Sequence, residues 1–276
     1  FSCICTAASM AAMSPGLLVC LLLLCIECAG EQFPCPPYQP LGRRQREQFK
    51  SRVYANYTRS CDSSGDNWHR LTLEDHLQMA RKVFTVLRPR PGQAVLDWGC
   101  GCGFKLRYAE EHFQTRGLGI DAVPQSIEYA DAHRSAGSRT TFCAADGTNL
   151  TWLADDTFDH TITGAALYHL YSPKEARRTG ATFCSMWAAL FRVTRPGGIV
   201  LSTSNLWRPP KRAYFDCWLH LSRLYGPQER PKLYSDWAFW EHRAGAAYFS
   251  SAEQQDGCYT VLQRVRKTQR GALPWS

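Results

Sequence analysis

Apolar residues recur along this chain with two different periods, and the change between them marks the start of a folded domain. Over residues 72–87 they recur at the three- and four-residue intervals of an amphipathic helix. This helix is expected to end before Pro89 and Pro91, which cannot continue it. A similar pattern predicts an earlier helix over 46–60. After residue 93, short apolar runs alternate with helical patterns, which is typical of a different architecture.

The alternating segments predict five strands separated by helices. The strands are predicted at 94–97, 117–121, 139–145, 160–163 and 199–202, and the helices at 104–113, 124–133 and 174–193. Such alternation predicts a parallel sheet with helices on both faces. Two more helices are predicted at 210–225 and 233–244, before an antiparallel hairpin of 247–250 and 259–265. The expected fold is α/β and doubly wound, with a mostly parallel seven-stranded sheet and a C-terminal antiparallel hairpin.

The first thirty residues have a composition of their own. Residues 16–26 are almost wholly apolar, but a helix needs about 20 residues to span a bilayer. A shorter apolar run followed by small residues is typical of a secretory signal. Residues 1–30 are therefore expected to be a signal peptide or hydrophobic leader. Cleavage would give a protein of the secretory pathway or extracellular space, and retention would give a membrane-anchored one. Residues 31–45 are rich in proline and predict a linker.

Charge and cysteine content narrow the classes of function. The net charge is +8, but the basic residues are scattered in short groups, so solvated surface is the simplest interpretation and no nucleic-acid partner is expected.

Eight of the 13 cysteines lie beyond residue 30, which permits disulfides in an oxidising compartment. Cys35 and Cys61 are the favoured pair. Cys100 and Cys102 are too constrained to pair with each other, and their spacing does not match a zinc knuckle, so no metal site is expected. Asn56 and Asn149 begin glycosylation sequons.

The segment most informative about chemistry is Asp97–Gly103, where three glycines alternate after a strand that ends in an acid. Glycine tolerates positive φ and exposes bare backbone to a ligand. The following helix offers free N–H groups at its N-terminus. Such a turn is typical of a site for a nucleoside-type cofactor. A dinucleotide site would need glycine at residue 104, where this chain has Phe104, so a nicotinamide oxidoreductase is disfavoured.

The pattern D-x-G-x-G-x-G resembles motif I of the class I S-adenosylmethionine-dependent methyltransferases. Further positions match that superfamily in order over roughly residues 70–205. Gly117–Asp121 resembles its second strand with a terminal acid, and Cys143–Gly147 and Gly164–Leu170 resemble the next two motifs. Residues 190–198 resemble the turn before its fifth strand. The resemblance is to the Rossmann-like small-molecule enzymes, of the kind called methyltransferase type 11.

The resemblance implies S-adenosylmethionine as the cofactor. Asp121 would accept hydrogen bonds from both ribose hydroxyls, which suits the two oxygens of a carboxylate, and Asp146 would bind the adenine amino group. Each acid also has a structural interpretation, as a helix cap for Asp97, a strand-end acid for Asp121 and a turn residue for Asp146. The expected cofactor-binding residues are Asp97, Gly99, Cys100, Gly101, Gly103, Asp121, Ala122, Asp146, Gly147 and Gly164.

The reaction of this superfamily is direct displacement of a methyl group from a sulfonium, in which the enzyme mainly aligns the reacting groups. The resemblance places His169 or Tyr168 nearest the methyl group, as a base or positioning group. His169 is equally well explained as a packed or exposed histidine. Trp98, with two tyrosines at 54 and 57, is expected to form a lid. The aromatic-rich segment 205–245 is interpreted as an aromatic core or as a cap over the acceptor.

These observations predict a methyltransferase domain over 46–276 that acts on a small-molecule acceptor. The alternative is a catalytically silent protein of the same fold that serves as a structural or interaction subunit of a larger assembly, because a fold does not fix a function. The intact glycines and acids favour the enzyme. A nucleic-acid methyltransferase is disfavoured because the fourth strand is followed by Gly164–Leu167 rather than an Asn/Asp-Pro-Pro-aromatic tetrapeptide. A membrane partner is expected only if the leader is retained.

Overall fold

A computed structural model describes residues 32–37, 61, 73–164, 166–167, 183–203, 217, 219–224, 232–234 and 259–263. The expected leader at 1–30, the predicted helix over 46–60 and most of the aromatic-rich segment lie outside these residues. Within the part of the chain that the structure describes, no helix is long and apolar enough to cross a lipid bilayer.

A parallel sheet of five strands forms the centre of a Rossmann-like domain. Its strands are β1 Ala94–Trp98, β2 Arg116–Asp121, β3 Thr140–Ala144, β4 Phe158–Gly164 and β5 Thr194–Thr203. Their spatial order is β3-β2-β1-β4-β5. The helices packed around the sheet are α1 Leu73–Leu87, α2 Phe104–Phe113, α3 Pro124–Ala132 and α4 Phe183–Val193.

Both faces of the sheet are covered, because the central strand β1 is buried along its whole length. Successive side chains of a strand point to opposite faces. Leu96 and Trp98 therefore join a core with α4, whereas Val95 joins a second core with α1, α2 and α3. The doubly wound arrangement and the parallel pairing of the strands were the central expectations from the sequence, and both are confirmed for the five strands.

The order of the strands creates a crevice at one end of the sheet. The chain runs outward from β1 through β2 to β3, and then returns to place β4 on the other side of β1. The loops after β1 and β4 therefore leave the same edge of the sheet, and open α/β sheets bind ligands in the crevice between such loops. The two loops touch, since a Cβ on Gly99 would lie 2.4 Å from the Cβ of Ala166.

Strand boundaries differ from the predictions where pairing is irregular or non-local. The predicted fifth strand is too short, because β5 begins at Thr194 and includes the Pro196–Gly198 segment. Its register against β4 shifts between Phe158 and His160, and a Cβ on Gly198 would lie 2.2 Å from the carbonyl oxygen of Asp159. Such a bulge lets a turn-forming sequence remain inside a strand.

The region after residue 230 also departs from its predicted helix. Residues Lys232–Tyr234 form β6, so the expectation of a helix beginning at 233 is wrong at its start. β6 pairs antiparallel with β7 Tyr259–Gln263, which pairs antiparallel with β5. The aromatic and apolar residues of β6 suit a strand as well as a helix, and a partner about thirty residues away is invisible to local periodicity. The predicted strand at 247–250 lies outside the described residues.

Three disulfides among the described residues correct the expected cysteine pairing. They join Cys35 to Cys143, Cys61 to Cys102, and Cys184 to Cys217. The favoured Cys35–Cys61 pair is therefore wrong. That pairing assumed that both cysteines stay within the irregular segment before the domain. Instead residues 32–37 pack on the sheet, where the ring of Phe33 lies 5.1 Å from that of Phe158.

Non-reducing peptide mapping will test this pairing. A chain produced in an oxidising host should yield three linked peptide pairs, 35 with 143, 61 with 102, and 184 with 217. The same digest after reduction should release all six peptides, which controls for assignment. Recovery of a peptide pair that joins 35 to 61 would contradict the arrangement.

Candidate cofactor site

The glycine-rich turn connects β1 to α2 at the carboxyl end of the sheet. Gly99, Gly101 and Gly103 have φ values of 73°, 53° and 72°, a region that L side chains rarely adopt. The N–H groups of Gly99 and Cys100 both donate to the carbonyl of Ile120, at 2.8 and 3.0 Å. The turn is therefore fixed against the end of β2, and the positive φ expected of its glycines is confirmed.

Close packing also requires glycine at the end of this turn. Gly103 is the N-cap of α2. A Cβ at this position would lie 2.6 Å from the ring of Phe142 and 2.9 Å from the Cβ of Ala130. Any side chain would push α2 away from β3 and α3, and with it the backbone that faces the crevice.

Asp121 joins the turn after β1 to the turn after β2. Its Oδ2 accepts a hydrogen bond from the N–H of Gly101 at 2.8 Å, and its Oδ1 accepts one from Val123 at 2.9 Å. Each carboxylate oxygen can accept a second hydrogen bond. Burial raises the pKa of Asp121, and these backbone hydrogen bonds counter that rise. The residue is therefore a structural bridge with acceptor capacity left for a ligand.

Asp97 is a fully buried acid at the end of β1. The Nζ of Lys105 lies 3.0 Å from its Oδ2. Its Oδ1 has no hydrogen-bond partner among the residues that the structure describes. Burial is the main cause that raises the pKa of Asp97, Lys105 opposes it, and the negative charge of Asp121 adds to it. A buried oxygen without a partner is costly, so this atom is a strong candidate for contact with a cation.

Cys100 contributes backbone rather than a side chain to the site. Its thiol is buried and is the free one among the cysteines that the structure describes. Burial, followed by the charges of Asp121 and Asp97, raises the pKa of this thiol well above its ordinary range. A protonated thiol is a poor nucleophile, so we assign Cys100 no chemical role.

Asp146 and Gly147 follow β3 and shape the loop at the side of the crevice. The exposed Asp146 accepts hydrogen bonds at Oδ1 from the N–H and the hydroxyl of Thr148, at 2.9 and 2.7 Å. It therefore has the turn role that was its structural interpretation, and its contact with adenine stays a prediction. The carbonyl of Gly147 accepts a hydrogen bond from the indole of Trp98 at 2.7 Å.

Trp98 is packed in the hydrophobic core, so its expected place in a lid is wrong. Its side chain is buried within the core on the α4 side of the sheet. A Cβ on Gly147 would lie 2.4 Å from its Nε1, which shows how closely the loop packs on the indole. The alternation Ala94, Leu96, Trp98 along β1 was the signal that could have predicted this inward direction.

Lys105 is the residue near the crevice that the sequence reasoning missed. It is the second residue of α2, where the partial positive charge of the helix N-terminus disfavours a cation. A lysine at such a position needs a nearby anion, and Asp97 supplies it. The combination of an acid before the glycines and a base just after them was the available signal.

The remaining expected site residues divide into two groups. Ala122 follows Asp121 directly, and Gly164 ends β4, where the loop that carries Ala166 approaches Gly99. The proposed catalytic residues Tyr168 and His169, and the two lid tyrosines at 54 and 57, lie outside the described residues. No cluster of potential metal ligands occurs among the residues that the structure does describe.

Comparison with known proteins now adds to this geometry. A family model described as a methyltransferase domain matches residues 95–198. The match spans the glycine-rich turn, Asp121, Asp146 and Gly164. This region is a class I S-adenosylmethionine-dependent methyltransferase domain. The superfamily resemblance read from the sequence is therefore confirmed.

Relatives of the methyltransferase domain are distant. Phosphoethanolamine N-methyltransferase of Triticum aestivum is 27% identical over 137 residues, which are 49% of this chain and 25% of that enzyme. Aklanonic acid methyltransferase DauC of Streptomyces sp. (strain C5) is 35% identical over 88 residues, 31% of this chain and 38% of that enzyme. The match thus spans well under half the length of either relative.

A solved structure supports the same fold. Phosphoethanolamine N-methyltransferase 2 of Haemonchus contortus, in complex with S-adenosyl-L-methionine, superposes with a TM-score of 0.54 at 13% identity. The alignment covers 80% of this chain and 59% of that one. At this identity the likeness establishes the architecture of the methyltransferase domain, and the argument for the site returns to its own residues.

Two glycine substitutions will distinguish the loss of stability caused by backbone strain from the loss caused by a steric clash. Gly103→Ala and Gly137→Ala both place an L residue at positive φ, which costs about 1–2 kcal/mol. A Cβ at residue 137 meets nothing within 4 Å, whereas one at residue 103 meets Phe142 and should cost about 1–3 kcal/mol more. Urea unfolding should therefore show a larger loss for Gly103→Ala. Equal losses for the two variants would contradict the packing argument.

Proposed function

We propose that this domain transfers a methyl group from S-adenosylmethionine to a small-molecule acceptor. The observation that carries the proposal is the Asp121 bridge beside the glycine-rich turn. A carboxylate with acceptor capacity to spare, held at the end of β2, suits a vicinal diol such as the ribose of the donor. The glycines beside it let a ligand approach bare backbone.

The other acids of the crevice fit the rest of the donor. Asp97 presents the unpartnered Oδ1 in a fully buried position, where a positively charged ammonium would satisfy it. Asp146, on the loop after β3, would meet the adenine amino group, because its exposed position leaves it open to a ligand. The three acids thus lie at or just beyond the carboxyl ends of three successive strands, where they would meet three polar parts of one molecule.

The bound donor would supply an electrophilic methyl group on a sulfonium. The residues of this chain would align the acceptor with that methyl group and exclude water. Because this chemistry would remove the positive charge from sulfur, an apolar surface would suit it better than a polar one, and Trp98 at the end of β1 would contribute to that surface. We propose His169 or Tyr168, which follow β4 in the sequence, as the base for an acceptor that must lose a proton.

The class of acceptor is proposed from the printed activities of the relatives. Phosphoethanolamine and aklanonic acid, the substrates named for two of them, are both small molecules. We further propose that the segment 205–245 caps the acceptor, and that β7 and β6 complete a seven-stranded sheet with a C-terminal antiparallel pair. The alternative is a silent member of the superfamily that acts as a subunit of a larger assembly.

Calorimetric titration with S-adenosylmethionine and S-adenosylhomocysteine will test the proposed cofactor and its ribose contact. Asp121→Ala should lower the affinity for both ligands roughly 100-fold, since it removes two hydrogen bonds to a charged acceptor. Asp131→Ala is the matched control, because that acid lies exposed on α3 in a surface pair with Arg134. Its affinity should equal that of the unchanged protein.

Each result of this titration has a clear meaning. A folded, unchanged protein that binds neither ligand would overturn the methyltransferase proposal. Equal affinity in the Asp121 variant would remove the ribose contact. Binding without turnover across a panel of small amines, carboxylates and phenols would favour the silent subunit.

We also propose that the protein matures in the secretory pathway. Three disulfides are unusual for a cytosolic protein and ordinary for a secreted one. The apolar run at 16–26 suits a leader that would direct the chain there. Retention of this leader instead of its removal would anchor the same domain to a membrane.

Glycosylation at Asn149 will test this route. Asn149 is exposed and lies in a turn, with its Oδ1 accepting hydrogen bonds from the N–H and hydroxyl of Thr151. Expressed in mammalian cells, the full chain should lose mass when a peptide-N-glycanase removes the glycan. Thr151→Ala should abolish that portion of the shift, while Thr151→Ser preserves the sequon and the shift. A chain without glycan and with every cysteine reduced would contradict the secretory route.

A further inference from the structure

The disulfide between Cys61 and Cys102 ends inside the glycine-rich turn. Cys102 lies between Gly101 and Gly103, and both cysteines are buried, with 3% of Cys61 and 6% of Cys102 exposed. Cys61 precedes α1 and lies outside residues 95–198, which match the methyltransferase family model. The bond therefore brings to the proposed donor site a residue from outside the matched region.

The turn depends on contacts with other segments for its shape. Three of its residues are glycines at positive φ, and glycine loses more conformational freedom on folding than any other residue. The first part of the turn is fixed to β2, because Gly99 and Cys100 donate to the carbonyl of Ile120 and Gly101 donates to Asp121. These hydrogen bonds act on residues 99–101.

Cys102 is restrained mainly through its side chain. Among the described residues, its N–H donates to no backbone carbonyl. Its own carbonyl accepts a long hydrogen bond of 3.5 Å from Nη2 of Arg107. The disulfide to Cys61 is a covalent restraint on the same residue. It therefore acts on a part of the turn that the hydrogen bonds to β2 do not reach.

A restraint on Cys102 reaches the acid proposed to bind the ribose through one peptide bond. Gly101 directly precedes Cys102, and its N–H donates to Oδ2 of Asp121 at 2.8 Å. Movement of Cys102 would displace this N–H and leave the carboxylate less firmly oriented. A site already held in its binding geometry gives higher affinity, because less order has to be created when the ligand binds.

We propose that Cys61 is a positioning residue of the donor site, which acts through Cys102 to hold the glycine-rich turn in its ligand-binding conformation. The protein with this disulfide then binds the donor more tightly than the protein without it. This inference rests on the proposed function and adds to it a residue that precedes the parallel sheet. The competing explanation is that the bond only stabilises the fold.

The Cys184–Cys217 disulfide provides a matched control. Cys184 lies on α4 and Cys217 lies in the core that α4 shares with the sheet. The Cys61–Cys102 bond joins residues 41 apart in the sequence, and the control bond joins residues 33 apart. Loops of such similar length predict similar losses of stability when either bond is removed. A difference in ligand affinity between the two variants therefore reports position rather than stability.

Calorimetric titration with S-adenosylhomocysteine will compare Cys61→Ser with Cys184→Ser. Both variants should unfold at lower urea concentrations than the unchanged protein. The affinity of Cys61→Ser should fall roughly 10-fold, a magnitude typical of coupling between two sites, and that of Cys184→Ser should stay unchanged. Non-reducing peptide mapping of each variant should recover the other two disulfides. Unchanged affinity in Cys61→Ser, or equal losses in both variants, would overturn the inference.

A second measurement uses only the unchanged protein, so it does not depend on a variant that folds. At equilibrium with dithiothreitol, a disulfide takes up two electrons and two protons to become two thiols, while dithiothreitol becomes its cyclic disulfide. Coupling between two sites is reciprocal. Saturating S-adenosylhomocysteine should therefore raise roughly 10-fold the ratio of dithiol to cyclic disulfide that half-reduces Cys61–Cys102. The ratio for Cys184–Cys217 should not change.

The outcomes of this equilibrium distinguish the two explanations. An equal shift for both bonds would mean that the ligand protects folded protein in general, and no shift for Cys61–Cys102 would mean that the bond and the site are independent. Either result would overturn the positioning role while leaving the proposed function intact. If the unchanged protein does not bind S-adenosylhomocysteine, the proposed function itself fails and the inference fails with it.

Discussion

The carboxylate of Asp121 fixes the spacing between the two loops that form the crevice. It accepts hydrogen bonds from Gly101 after β1 and from Val123 after β2, so the two turns cannot separate without breaking hydrogen bonds to a partly buried acid. The carbonyl of Ile120 holds the first turn at two further points. The glycines, the start of α2 and the end of β2 are therefore positioned by one short set of hydrogen bonds.

Burial of two acids close to each other sets the electrostatics of the same region. Asp97 and Asp121 both have raised pKa values, with burial as the main cause. Lys105 offsets the charge of Asp97, and backbone N–H groups offset that of Asp121. A site assembled in this way favours a ligand that brings positive charge, because such a ligand offsets the remaining negative charge without moving the backbone.

Local features were predictable from the sequence, and features that depend on distant partners were not. The helix at 104–113 and the conformation of the glycines follow from residues that are neighbours in the chain. The disulfide partners of Cys35 and Cys61, and the antiparallel partner of β7, depend on how remote segments pack. Among the proposed site residues, Asp121 was identified by its place at the end of a strand together with the resemblance to the superfamily. Lys105 was missed because its partner Asp97 lies on the other side of the glycine-rich turn, and only the folded turn brings the two together.

The Cys61–Cys102 and Cys35–Cys143 disulfides make residues that precede α1 a covalently attached part of the domain. Cys102 lies between two glycines of the turn, and Cys143 lies in β3, so residues that precede α1 are covalently attached at the crevice. A shorter chain that starts at α1 would keep the whole sheet and helices yet carry two unpaired thiols at the crevice. The smallest unit with a complete covalent framework at this site therefore reaches back at least to Cys35, although the parallel sheet itself begins almost sixty residues later.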